Sequence, residues 1–275
     1  MGHAVIEPDI PYGDAMLRVR ADPKGGFRGI VVGRANEPRQ HPTRAGLMAE
    51  LQAMVRAADP LFVGIKGARR RFLAVFPGGF ADPAYGGDGE GGSKRALAAR
   101  LAATLPLAEA RAPDAAARAV KLLQGQDLLN WQDMARLAVT LRGKGGGVIL
   151  PALADLAEGH ATALDRLGRF GPADGVIWST VTYLPFLWRP DRNLLLKPDF
   201  CLTYARCVGH RFALDYDPAL APGVYGALME MAGETLAAVA DLGARDMIDA
   251  HSFMWTAVRY PAPREYGAPG VGGAP

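Results

Sequence analysis

The sequence predicts a mainly helical fold with a small amount of β structure near the N-terminus. Apolar residues recur at helical spacing in one segment after another from about Thr43 onward, whereas period-two alternation is confined to residues 15–35. No alternation of strands and helices supports a parallel, doubly wound sheet.

The β element reads as a hairpin. Leu17, Val19 and Ala21 alternate with Arg18 and Arg20, and Asp22-Pro23-Lys24-Gly25-Gly26 supplies a turn before Phe27–Val32. Thr43 is a natural N-cap for a helix carrying Leu47, Leu51, Met54, Val55 and Ala58 on one side, which Asp59-Pro60 ends. A second helix, Leu61–Phe76, presents Phe62, Ile65, Phe72, Leu73 and Phe76. Residues 77–92 are turn material and read as a mobile loop. Ser93 then caps a helix to Leu105. Further helices are expected over Asp114–Gln124, Leu128–Leu141 with Gly143 just past its end, and Pro151–Phe170. Val176–Leu187 suits either a strand or a buried helix broken near Pro185. Pro198–Gly209, Val224–Leu242 and Asp246–Val258 complete the helices. The expected division is residues 1–110, with the hairpin and basic helices, 111–262 as a helical domain with a pocket, and 263–275 as a flexible tail; one continuous domain is the alternative.

Composition narrows the function classes. Of 275 residues, 49% are apolar and 21% charged, which suits a globular protein, and no apolar run reaches the ~18 residues of a membrane span. The N-terminus lacks a basic segment followed by an apolar one, so a cytoplasmic location without membrane association is expected. Cys201 and Cys207 read as small buried thiols. Net charge is +3, and the surplus lies entirely in residues 17–100, with 15 Lys or Arg against 7 Asp or Glu. Such asymmetry favours an acidic partner, most commonly nucleic acid, although 25 Arg against 6 Lys is also what coding bias produces.

Two regions concentrate the chemistry. In the first, Lys66 and Arg69, Arg70 and Arg71 fall in the second helix, with Lys94 and Arg95 beyond the glycine-rich loop. Guanidinium forks suit phosphate, so these six are the candidate nucleic-acid contacts; a solvated helix face is the plainer alternative. The second runs from Trp178 to Trp255 and holds three of the four tryptophans. There Trp178, Trp188, Arg189, Asp191, Arg192 and Lys197 are candidate pocket residues, or else ion pairs that fix two chain breaks. Asp246 suits a helix N-cap, and Asp249 three residues on completes an acidic capping box. Asp249 and His251 are the candidate catalytic pair.

Several chemistries fail on their own terms. Arg142–Gly147 lacks the order of a P-loop, and Leu195 stands where a metal-dependent nuclease motif ending in Lys197 needs an acid. The histidines are scattered, so neither a metal nor a cofactor is expected. Ser93, Ser179 and Ser252 lie in no nucleophile elbow.

Two resemblances follow from the C-terminal residues. PFLWRPDRNLLLKPDF, an amphipathic helix and RDMIDAHSFMW together resemble a helical module of uncharacterised prokaryotic proteins associated with DNA restriction and defence. This covers about a third of the chain and implies no activity. Ile248-Asp249-Ala250-His251 is similar to a step in helix-hairpin-helix DNA glycosylases, which would make Asp249 the catalytic carboxylate beside a flipped base. Their glycine-rich hairpin is absent from Gly233–Arg245. The leading expectation is a bacterial nucleic-acid-associated protein, DNA before RNA, acting as a defence or restriction accessory factor. The alternatives are an enzyme acting on a small or nucleotide-like molecule through an Arg/Asp/His pocket, and a non-catalytic subunit with a protein partner.

Overall fold

The structure is a computed structural model and describes residues 8–34, 37–123, 128–160 and 162–260. Strands β1 (Ile10–Tyr12), β2 (Ala15–Ala21), β3 (Phe27–Val31) and β4 (Arg39–His41) form an antiparallel meander in chain order. The alternation in β2 sets its faces: Ala15, Leu17 and Val19 are buried, while Met16 and Arg18 are exposed. Register places Leu17 opposite Val31, Arg18 opposite Ile30 and Arg20 opposite Arg28. The turn closes through Asp22 N–H to Gly26 O at 3.0 Å, with positive φ at Gly25 and Gly26. The hairpin thus gains a short strand on each side. These edge strands are only three residues long, too short for an alternating pattern to disclose them.

Helix α1 (Arg44–Ala57) starts at Thr43, whose hydroxyl accepts from Gly46 N–H at 3.1 Å. Leu47, Leu51 and Val55 fall one turn apart on one face and meet Ala15, Leu17, Val19 and Val31 in a small core of their own. The opposite face of the sheet carries Met16, Arg18, Arg20, Arg28 and Ile30.

All remaining elements share a second, larger core. They are α2 (Gly64–Val75), α3 (Glu90–Thr104), α4 (Ala115–Leu123), α5 (Trp131–Arg142), α6 (Gly146–Ala157), α7 (Ala163–Leu167), α8 (Trp178–Trp188), α9 (Pro198–Val208), α10 (Phe212–Asp215), α11 (Pro222–Ala238) and α12 (Met247–Arg259). Among the described residues the fold is therefore mainly α, with twelve helices and one small sheet. The apolar side of α2 joins this larger core through Ala68 and Phe72, not the core under the sheet.

The ambiguous segment 176–187 resolves as α8, buried along nearly its whole length with the hydroxyls of Thr180 and Thr182 bonded to backbone carbonyls, as suits a helix surrounded by other helices. Pro185 does not end it, and Arg189 N–H returns to Pro185 O at 2.9 Å. After it, Leu194, Leu195 and Leu196 run buried and extended into α9, and Leu196 N–H donates to Thr182 Oγ1 at 2.9 Å. The single helix expected over Pro151–Phe170 is two, α6 and α7. The chain leaves α6 through Gly159 at φ +84, a stop that the apolar periodicity masks.

The glycine-rich segment 77–92 is not the loose loop its composition suggests. Phe80 and Tyr85 are buried against Phe72 and Phe76, with ring centroids 4.7–6.2 Å apart. Asp82 fixes the turn by accepting from Gly78 N–H at 3.0 Å and Ala84 N–H at 2.9 Å. Glycine is needed here for close approach: a Cβ on Gly91 would lie 2.3 Å from the Tyr85 ring, and one on Gly92 1.8 Å from Gly87 O. Helix α3 also begins three residues before the predicted cap at Ser93. The expected tail, 263–275, lies outside the described residues. No helix among those described is long and apolar enough to cross a membrane.

Candidate functional site

The start of α12 gathers a dense set of side-chain hydrogen bonds. Asp246 caps it, accepting from Ile248 N–H at 3.0 Å and Asp249 N–H at 3.2 Å. Arg95, reaching across from α3, grips Asp246 at 2.7 and 3.0 Å and Asp249 at 2.7 Å. Asp249 is fully buried and also accepts from Tyr85 O–H at 2.5 Å, Arg245 Nε at 2.9 Å and Arg245 N–H at 2.9 Å. Burial alone would raise its pKa, but the bonds from Arg245, Tyr85 and Arg95 outweigh that and lower it. A buried carboxylate whose lone pairs are all taken has none to offer a substrate. Asp249 therefore pins α3, the glycine-rich segment and α12 together, and the geometry does not support it as the catalytic carboxylate of a glycosylase-like step.

His251, two residues on, is the opposite case. It is 2% exposed, and neither ring nitrogen has a hydrogen-bond partner among the described residues. Phe200 meets its ring edge-on at 4.8 Å, and Phe186 packs at 5.4 Å. Burial first, then the positive charge of Lys94 and Lys197, holds its pKa well below the ordinary value. The ring lines a cavity of about 250 Å³ together with Glu90, Lys94, Lys197, Phe200 and Trp255.

The six candidate phosphate contacts do not share a surface. Arg69 forms a two-pronged pair with Asp241 at 2.6 and 2.7 Å, and Arg71 donates to Ala257 O at 3.1 Å. Arg95 holds the α12 cap, and Lys94 is buried between Glu90 and Ser252 Oγ, the latter at 3.2 Å. Only Lys66 and Arg70 stand exposed in solvent. The arginines of α2 chiefly fasten it to its neighbours, because three consecutive positions on a helix must sweep around it.

The predicted pocket residues also separate. Trp178 is buried, donates to Asp217 O at 2.8 Å and stacks on Tyr225. Trp188 donates to Leu105 O at 2.8 Å. Arg189 pairs with Asp191 and Glu158, and Arg192 lies beside Asp191, so these three brace the turn after α8. Lys197 alone of the six lines the cavity under His251. Trp255 closes the stretch that the sequence marks out, whereas no motif in the sequence points to Tyr85, Glu90 or Phe200. The Glu90–Lys94 spacing of four residues was the available signal, hidden by the glycines around it.

A second concavity, about 680 Å³, separates the sheet unit from the helical core, lined by Tyr12, Arg56, His210, Arg211, Glu230 and Glu234. The candidate metal-ligand atoms of His210, Glu230 and Glu234 lie within 4.8 Å of one another. The hydrogen bonding argues against a metal there. Phe212 N–H donates to His210 Nδ1 at 3.1 Å, which leaves the proton of the neutral ring on Nε2, the atom facing Glu234. Glu230 is drawn to Arg211. The buried thiols are inert by the same logic of environment: burial pushes Cys201 up to about 12.

No family model, curated protein or solved structure matches this chain.

Proposed function

We propose that this protein associates with nucleic acid, DNA before RNA, through the open face of its N-terminal sheet, and that it serves as an accessory factor in a DNA-directed process such as restriction or defence. The carrying observation is the cross-strand placement of Arg20 directly opposite Arg28, with Arg18 one step along the same face. Like charges opposite each other weaken a sheet, so the arrangement is best balanced by an anion from outside. Asp9 neutralises only part of it, bonding Arg18 at 2.9 and 2.8 Å and approaching Arg20 at 3.5 Å. Arg28 has no ion-pair partner among the described residues. Met16 and Ile30 interleave with the arginines, and such a mixture of apolar and cationic groups suits unstacked bases as well as phosphate. Lys24, Arg34 and Arg39 stand exposed on the same unit.

The test is titration of labelled single- and double-stranded DNA and RNA at several salt concentrations. Binding should weaken linearly with the logarithm of salt, and Arg20→Glu with Arg28→Glu should reduce the slope by about one for each phosphate left unneutralised. Binding insensitive to salt, or unchanged in that variant, overturns the reading.

A second reading, a protein partner, has one observation in its favour. Trp131 is 71% exposed and Val139 68%, two turns apart on α5 and both lining a shallow apolar hollow. A Trp131→Ser variant that loses a co-purifying subunit would support it; unaltered behaviour of a monodisperse monomer would not.

A further inference from the structure

Independently of the sheet face, the cavity under His251 has the makings of a ligand site. We propose that this cavity, lined by α3, the start of α9 and α12, binds a small monocarboxylate with an aromatic or aliphatic body, its carboxylate held by Lys197 and His251, while Lys94 stays bonded to Glu90 and Ser252. Several observations converge. His251 is 2% exposed, yet both its nitrogens lack partners among the described residues, although buried polar groups are nearly always satisfied by protein, water or ligand. The ring lines the cavity, held by Phe186 and Phe200.

The charges come from separate elements: Lys94 and Glu90 from α3, and Lys197 from the residue capping α9. Glu90 pairs with Lys94, whereas Lys197 has only the Trp255 ring among the described residues, 5.8 Å from its Nζ. Among the described residues Lys197 therefore keeps a positive charge with no ion-pair partner. The positive end of the eleven-residue α9 lies at Lys197, with the exposed Asp199 already in its first turn. The ring of His251 is neutral, because burial and the two lysines keep it unprotonated, so it offers one donor and one acceptor without adding charge. A single surplus cation matches a monoanion better than a phosphate dianion. Leu97, Leu128, Phe200 and Trp255 form the apolar remainder of the wall. A cavity of about 250 Å³ admits a compact body, not a nucleotide.

The probes are benzoate, acetate and inorganic phosphate, titrated calorimetrically against the full chain. Benzoate should bind saturably, and acetate and phosphate each at least about tenfold more weakly. Lys197→Met and His251→Phe should each weaken benzoate by about tenfold or more, the usual consequence of losing a charged or buried hydrogen-bond partner. His251→Phe keeps the ring packing and removes an unsatisfied group, so it should fold, which circular dichroism checks. The ring nitrogens of His251 should also shift in the NMR spectrum when benzoate is added. Absence of benzoate binding at millimolar concentration, equal affinity in both folded variants, or a preference for phosphate would each overturn the proposal.

Discussion

Changing Asp249 to asparagine removes one charge from a buried carboxylate and tests whether its work is structural. Hydrogen bonds to a charged group contribute about 1.5–3 kcal/mol, against about 0.5–1.5 kcal/mol for neutral pairs, so each bond retained by an amide is weakened by about 1 kcal/mol. Tyr85 is 1% exposed and cannot turn to water. Arg95 keeps its bonds to Asp246, and the Arg245 side chain, 57% exposed, recovers part of its loss by hydration. The new amide must also point a donor at a guanidinium. The sum is a loss of about 2–4 kcal/mol, or roughly 4–16 °C in Tm for a domain of this size. Urea unfolding followed by circular dichroism at neutral pH measures it. A cycle with Tyr85→Phe should show coupling above about 0.5 kcal/mol, as expected of residues in contact. A loss below about 0.5 kcal/mol would refute the reasoning, because the network would then be holding nothing together.

Other expectations follow from the same geometry. The unfolded chain takes up a proton at His251 near its ordinary pKa of 6.5, while the folded protein does not. Stability is therefore full above that value and declines as pH falls through it, by up to about 1.4 kcal/mol per pH unit, and His251→Phe should flatten this decline in pH-dependent denaturation. His210 is depressed too, mainly by burial, and should leave a residual slope in that variant. The Asp249 contribution has the carboxylate sign: its folded pKa is lowered from 3.8, so it persists above that pH and is lost on further acidification. Gly175→Ala should cost about 2 kcal/mol or more in calorimetry. Gly175 has φ +72, and an added Cβ would lie 2.3 Å from Leu137 N, so a variant as stable as the parent would contradict the backbone described. Asp246→Ala should cost at least the roughly 1 kcal/mol of a missing N-cap, and more if Arg95 is released with it; denaturant midpoints decide.

Much of the fold was legible because its signals are local. Thr43 and Asp246 announce their helices by side-chain chemistry, and the alternation of Leu17 and Val19 with Arg18 and Arg20 fixes which face of the sheet is dry. The edge strands were hidden because three-residue pairings are too short to show a pattern. Gly159 was overlooked because the apolar spacing carries on past it from α6 into α7. The candidate site was harder, since its members lie far apart in the chain. Lys94 and Arg95 are adjacent, and composition treats them alike. The structure buries one beside His251 and spends the other on Asp246 and Asp249. Glycine runs misled in a consistent direction: at Gly91 and Gly92 the missing side chain permits close packing, where sequence reading inferred slackness.

The separateness of the two cores has a thermal consequence. Seven buried apolar side chains support the sheet and α1, and the polar cleft at Arg56 and His210 lies between that unit and a much larger interior. A core so small lends little cooperativity, so the unit should lose hydrogen-exchange protection before the helices do. Its arginine-bearing face would then be the first part of the molecule to melt, and the cavity under His251 among the last. Heating would silence one surface while leaving the other intact, which gives a physical way of assigning any measured activity to its half of the chain.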